Sequence, residues 1–241
     1  ALEEHIDRFY RSAALLEIPF DMPKAELNAL LRELVKKVDS RETMLYWQLT
    51  RGTGMRLHAF TGASQGPNLW ITVRHNPMWD ISRPMKLITR EDTRFFHCHI
   101  KTLNLLPNVL ASQRALEAGC DEAVLHRGET VTECSHSNLH ILKDGTLRTA
   151  PLSNLILPGI TRAQLLALAR ENGIPVAEEA FTLSQMMAAD EVIVTSSGSL
   201  CCAVSHIYKK PVGGRGQALL ATLQKAFMAR LRAVTRPEGA A

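Results

Sequence analysis

The stretch Ile100-Lys101-Thr102-Leu103-Asn104-Leu105-Leu106-Pro107-Asn108-Val109-Leu110-Ala111 joins a strand-like run to an apolar helix and sets one lysine at the junction. Its periodicity predicts a helix from about Leu105 to Ala118, preceded by an extended segment ending at Cys98-His99-Ile100. A lysine held beside apolar neighbours has its ammonium destabilised, which favours the neutral amine that attacks an aldehyde. Taken alone, Lys101 is more simply a surface lysine.

Toward the N-terminus, Leu2, Ile6, Phe9, Tyr10 and Ala13 recur at helical spacing, and Leu27, Leu30, Leu31, Leu34 and Val35 do so again after Pro23. Met44–Thr50 and Asn68–Val73 read as strands separated by a glycine-punctuated stretch from Arg51 to Gly66. These elements predict a small N-terminal domain over residues 1–77 and, around two prolines, a linker over 78–84. A larger domain over 85–241 follows, opening with the strand-like Met85–Thr89. It is expected to hold short strands from Glu122 to Leu157, a helix from Thr161 to Asn172, a strand over Glu191–Thr195 and a last helix from about Ala218 to Val234. The residues beyond, to Ala241, are expected to fray. The fold class is α+β.

With 241 residues, 46% hydrophobic and 22% charged, the chain can bury a substantial core and has the balance of a folded soluble protein. Its net charge of +4 is spread among acids without a dense basic run, which argues against nucleic-acid binding, and no apolar segment suggests a membrane span. Five cysteines without a CxxC pair indicate neither a disulfide framework nor a zinc site, and a reducing cytoplasm fits best. Cys201 and Cys202 read as small hydrophobes in an apolar strand. His97 and His99 alternate, but no further ligands stand at metal-site spacing, so ordinary polar contacts are expected and no metal.

Four further segments carry chemistry. Glu133 lies in Val131-Thr132-Glu133-Cys134-Ser135-His136-Ser137-Asn138. A carboxylate against the ring nitrogen of pyridoxal phosphate keeps that nitrogen protonated; otherwise Glu133 is an acid capping a turn. Pro158-Gly159-Ile160-Thr161-Arg162 runs into a helix whose first amides, with the Thr161 hydroxyl, can hold a phosphate, or Thr161 is only an N-cap. Thr195-Ser196-Ser197-Gly198 after a strand offers an anion nest or an ordinary polar turn. Arg56-Leu57-His58 sets two donors on one side of an extended segment, able to grip a carboxylate, although such a triplet is often a solvated strand edge.

In order and spacing these pieces resemble the class IV aminotransferases, the fold type IV pyridoxal-phosphate enzymes, and among them the D-amino acid aminotransferases. The resemblance runs from about Leu2 to Ala226 and is most specific over Ile100–Ala111, Val131–Glu133 and Ile156–Arg162. It implies a two-domain fold with a small α/β domain and a larger domain built on a curved, barrel-like sheet. It further implies that Lys101 holds pyridoxal 5'-phosphate as a Schiff base and shuttles the substrate proton, and that Glu133 pairs with the pyridine nitrogen. Arg8, Ile160, Thr161, Ser196 and Ser197 match the family's phosphate contacts, and Leu157 would lie against the ring. Arg56 and His58 match a pair that receives the substrate carboxylate from across a subunit interface, which implies a homodimer.

The family has further strands before the position of Leu2, including a tyrosine that helps bind the carboxylate, so a truncated or separately supplied start is expected. This chain also carries His99 where close relatives usually have Asp, Cys134 where they have Gly, and an unusual His136. The leading expectation is transfer of an amino group from a D-amino acid such as D-alanine to a 2-oxo acid such as 2-oxoglutarate. The alternatives are a branched-chain aminotransferase, an aminodeoxychorismate lyase, or a cofactor-binding relative that does not turn over.

Overall fold

The structure is a computed structural model that describes residues 1–39, 42–60 and 65–235. Residues 61–64 of the glycine-punctuated stretch and the expected frayed end at 236–241 lie outside the described residues. The chain divides into two compact units, one of Ala1–Met78 with Ile100–Thr102 and one of Trp79–His99 with Leu103–Ala241. Ile100–Thr102 thus groups with the first unit, whereas the sequence reading placed it within 85–241. Within the expected linker, Trp79 to Arg83 form a turn in which the Asp80 carboxylate accepts from the Ser82 amide at 2.9 Å and its hydroxyl at 2.7 Å.

The first unit lays helices α1 (Leu2–Leu15) and α2 (Lys24–Lys36) against a two-stranded antiparallel ribbon of β1 (Thr43–Thr50) and β2 (Asn68–His75). Strand alternation explains the packing. Leu45, Trp47, Leu69 and Ile71 face a core of Ile6, Leu27 and Leu31, while Tyr46 and Trp70 between them are exposed. Trp47 stands opposite Ile71 in the ribbon, so the two bulky side chains share one face.

The second unit is a nine-stranded sheet. Its elements are β3 (Met85–Glu91), β4 (Glu122–Arg127), β5 (Thr130–Cys134), β6 (Asn138–Lys143), β7 (Thr146–Thr149), β8 (Val176–Glu178), β9 (Glu191–Thr195), β10 (Cys202–Ile207) and β11 (Lys210–Pro211). The order is β5-β4-β3-β10-β9-β6-β7-β8, with β11 paired to β10. The sheet curves until its ends approach: after β8, Thr182 bridges to Thr130, and the Val131 amide donates to Phe181 O at 3.0 Å. Inward-facing Leu87, Val124, Leu139, Val192, Val194 and Phe181 fill the closed interior.

Alternate residues serve the outside. Ile88, Ala123 and Leu125 meet α3 (Leu106–Glu117), and Ile193 meets α4 (Ile160–Glu171) and α6 (Gln217–Thr235) through Leu165, Leu168, Leu223 and Phe227. The short α5 (Leu183–Met187) begins in a capping box between Thr182 and Gln185. Among the described residues no helix is long and apolar enough to cross a membrane.

One strand expectation fails. The run before Lys101 is not extended, because β3 stops at Glu91 and residues 96–99 form turns. Asp92 accepts from the Arg94 amide at 3.0 Å, and this local side-chain bond replaces the strand ladder.

Candidate cofactor site

Within the second unit, the ends of β5, β6 and β9 and the start of α4 collect Glu133, Thr161, Ser196 and Ser197. Glu133 is the penultimate residue of β5, and the turn to Asn138 at the start of β6 is tied down by the buried Glu122. That carboxylate accepts from the His136 amide at 2.8 Å, from Ser137 Oγ at 2.8 Å and from Ser135 Oγ at 3.3 Å, with His136 Nδ1 3.0 Å away. Fixing this turn fixes the spacing between Glu133 and Asn138, which meet through their side chains.

Glu133 is buried, yet its carboxylate has donors on both oxygens. Arg94 Nη1 reaches Oε1, while Asn138 Nδ2 at 2.9 Å and the Leu157 amide at 3.0 Å reach Oε2. Burial pushes the Glu133 carboxyl up, to about 7, against the pull of Arg94. Arg94 is shared, since it also forks onto Asp92 through Nε and Nη2, each at 2.9 Å. Glu133 is therefore no turn cap but an acid held by three donors in a dry interior.

Gly159 shows how tightly this corner is built. A Cβ there would stand 2.0 Å from Asn138 Oδ1, so only glycine lets the start of α4 approach the side chain that holds Glu133. Gly159 is the N-cap of α4 and no side chain caps the helix; Thr161 sits one residue inside its first turn, which corrects the N-cap reading of that residue. The first helical bond runs from the Ala163 amide to Gly159 O at 3.0 Å, which leaves the earlier amides of the turn outside the helical ladder. Such an end carries partial positive charge and suits an anion.

Antiparallel pairing puts Thr195, the last residue of β9, opposite Asn138, so Ser196 and Ser197 follow at the same end of the sheet. Ser196 Oγ accepts from the Ser199 amide at 3.0 Å and meets Ser199 Oγ at 2.7 Å, which fixes the tight turn after β9. Thr195 itself bonds Nε2 of the fully buried His140 at 2.8 Å. Burial, aided by Arg162, pushes that imidazole down to about 3, so it is neutral.

Within the first unit, Arg8 is buried on α1, and burial together with the like charge of Arg11 pushes it down to about 10. The Lys101 amide donates to Ser12 Oγ, one helical turn beyond Arg8, at 3.3 Å. Lys101 itself is exposed in this chain, so the shelter among apolar neighbours expected from the sequence is not present. Of those neighbours Ile100 is buried, but Leu103 points outward.

Arg56, Leu57 and His58 are all exposed and belong to no strand. The Leu57 amide bonds Met55 O at 2.9 Å, a turn centred on Arg56, so the alternation that would put Arg56 and His58 on one face of a strand does not apply.

Two arginine contacts escaped the sequence reading. Arg94 reaches Glu133 from 39 positions away while forked onto Asp92, and only the polar run Glu91-Asp92-Thr93-Arg94 at the end of β3 hinted at it. His97 and His99 approach with ring centroids 6.0 Å apart, and no group of three metal-ligating side chains occurs among the described residues. Burial raises the thiols of Cys201, to about 12, and Cys202, to about 11; Cys202 opens β10 and Cys201 precedes it.

A buried acid, a helix start and a serine turn thus meet at one end of the curved sheet. The family model for amino-transferase class IV matches residues 1–207, and the chain belongs to that family of pyridoxal-phosphate-dependent enzymes. It is 44% identical over 209 residues to the D-alanine aminotransferase of Listeria monocytogenes serotype 4b, covering 85% of this chain and 72% of that protein. The D-alanine aminotransferase of Staphylococcus haemolyticus is 37% identical over 227 residues, 93% of this chain and 80% of that protein.

Among solved structures, a T.th. branched-chain amino acid aminotransferase complexed with N-(5'-phosphopyridoxyl)-L-glutamate superposes with a TM-score of 0.84 at 27% identity, over 98% of this chain and 80% of that one. The Escherichia coli branched-chain enzyme, at 21% identity and a TM-score of 0.85 over 99% of this chain and 82% of that one, shares the fold. The expected two-domain fold type IV architecture is thereby established. The second unit's residues fit the cofactor: a buried carboxylate for its ring nitrogen, and α4 amides with serine hydroxyls for its phosphate.

Proposed function

We propose that the protein transfers an amino group from a D-amino acid, with D-alanine as the type, to a 2-oxo acid such as 2-oxoglutarate. The observation that carries this reading is the 44% identity to a D-alanine aminotransferase across 85% of the chain. When bound, pyridoxal phosphate supplies an electron-accepting ring that stabilises negative charge at the substrate α-carbon.

In this reading the Lys101 amine holds the cofactor covalently and moves the proton at the α-carbon. Glu133 accepts the hydrogen bond of the ring nitrogen and keeps it cationic, a role supported by the three donors that already orient its carboxylate. Ile160, Thr161, Ser196 and Ser197 bind the phosphate, with Arg8 adding positive charge, and Leu157 lies against the ring. The buried, lowered guanidinium of Arg8 supports its part, because an anion offsets its desolvation.

Arg56 and His58 receive the substrate α-carboxylate, and their exposure in a single chain agrees with a pair that serves the neighbouring subunit. A homodimer is part of the proposal. It is supported by Leu106, Val109 and Leu110, which leave a face of α3 apolar and exposed. A cytoplasmic setting is supported by five free thiols.

The branched-chain reading is kept in view by the 27% identical T.th. structure. A panel of D- and L-amino acid donors with several 2-oxo acids decides between them. Turnover of D-alanine with transfer to 2-oxoglutarate is expected; turnover confined to L-leucine-type donors overturns the proposal.

A further inference from the structure

We infer that Arg94, locked by Asp92, is a positioning residue that sets both the direction and the charge of Glu133. The inference rests on the reading that Glu133 faces the cofactor's ring nitrogen. The three side chains form a sealed row, 5% exposed for Arg94, 0% for Asp92 and 6% for Glu133, so water does little to screen them.

The geometry leaves the guanidinium no freedom. Nε and Nη2 fork onto the two oxygens of Asp92, each at 2.9 Å, and Nη2 also donates to Leu155 O at 3.0 Å. Asp92 is held in turn by Thr132 Oγ1 at 2.9 Å and by the Arg94 amide at 3.0 Å. Arg127 closes the row: its Nη2 donates to Arg94 O, and its Nε lies 3.5 Å from Asp92 Oδ2. One edge of Arg94, Nη1, remains for Glu133 Oε1.

A carboxylate has about four lone-pair directions. Asn138 and the Leu157 amide take the two on Oε2, and Arg94 takes one on Oε1. The fourth, on Oε1, is the direction left for an incoming N–H. Lysine cannot replace this, because a point ammonium has no fork to brace on Asp92 while reaching Glu133.

The same row sets the charge. Arg94 stabilises ionised Glu133, and Asp92 draws on the same cation and works against that ionisation. The two neighbours therefore push Glu133 in opposite directions, and a merely structural contact would not. Removing Arg94 must raise the pH at which Glu133 ionises; neutralising Asp92 must lower it.

The test is infrared titration of the apoprotein, following the protonated-carboxyl band that disappears in Glu133→Gln. Relative to the wild-type midpoint, Arg94→Met is expected to raise it by about one pH unit or more, a tenfold change in the ionisation ratio. Asp92→Asn is expected to lower it, and Arg94→Lys to leave it between those of Arg94→Met and wild type. If Arg94→Met does not fold, Asp92→Asn alone still decides, since an unchanged or raised midpoint there overturns the inference. Cofactor affinity of the same variants separates the two layers. Glu133→Gln with undiminished affinity and an unaltered cofactor spectrum removes the reading of Glu133 itself, whereas weakened binding in Glu133→Gln with unmoved midpoints in the other variants removes only the role of Arg94.

Discussion

Gly159→Ala bears chiefly on one contact of the site, the approach of α4 to the Asn138 side chain. The backbone at Gly159 has φ −66° and ψ 133°, values that alanine adopts freely, so the substitution brings no backbone strain. At such a position the loss of unfolded-state entropy normally stabilises by about 0.4–1 kcal/mol. Here the new Cβ lies 2.0 Å from Asn138 Oδ1, and an ordinary contact needs well over 3 Å, so the amide must move by more than 1 Å.

That movement breaks the bonds of Asn138 Nδ2 to Glu133 at 2.9 Å and to Leu157 O at 3.0 Å. Rotating the amide to escape would turn its oxygen toward the carboxylate. A bond to a charged group contributes about 1.5–3 kcal/mol and a neutral one about 1 kcal/mol. Less the entropic gain, the net loss comes to roughly 1.5–3.5 kcal/mol.

Urea unfolding of the apoprotein measures it, with Gly198→Ala as the reference because a Cβ there meets nothing within 4 Å. A Gly159→Ala protein as stable as Gly198→Ala, or more so, refutes the account of this corner.

Two buried groups give opposite pH dependences of stability. His140 stays neutral in the fold while the unfolded chain gains a proton near 6.5, so stability falls with pH from 6.5 toward about 3, by about 1.4 kcal/mol per unit. Glu133 retains in the fold a proton that the unfolded chain releases near 4.5, so it adds stability as pH falls from about 7 to 4.5. Between 4.5 and 6.5 the two slopes oppose each other. In urea titrations at about pH 5 and pH 8, Glu133→Gln should therefore be more acid-sensitive than wild type and His140→Gln less so; the reverse order contradicts the assignment. Arg8→Gln is expected to weaken cofactor binding by about 10–100-fold, measured by absorbance titration of the apoprotein, and unchanged affinity would remove Arg8 from the phosphate site.

Much of the architecture follows from alternation that a sequence displays openly. Leu45 and Trp47 against Tyr46, or Val192 and Val194 against Ile193, sort themselves to two faces, and helices α3, α4 and α6 begin and end within two residues of their expected bounds. Closure of the sheet was implied by the family resemblance but not by local pattern, because it depends on a bridge between Thr130 and Thr182 that no local pattern announces. The strand reading of Arg56-Leu57-His58 failed for a related reason: polar alternation looks extended, and the bond between Leu57 and Met55 that bends it is made by backbone alone. Glu133 and Lys101 stood out through motifs, but the partners that give Glu133 its character come from separate turns of the chain, Arg94 just after β3 and Leu157 just before α4.

The most direct measurement is borohydride reduction of the protein with bound pyridoxal phosphate, followed by mass spectrometry of its peptides. A single pyridoxyl adduct is expected, on the peptide that carries Lys101, and it should be lost in Lys101→Ala. An adduct on a different lysine, or none on a protein that transaminates, would contradict the role proposed for Lys101.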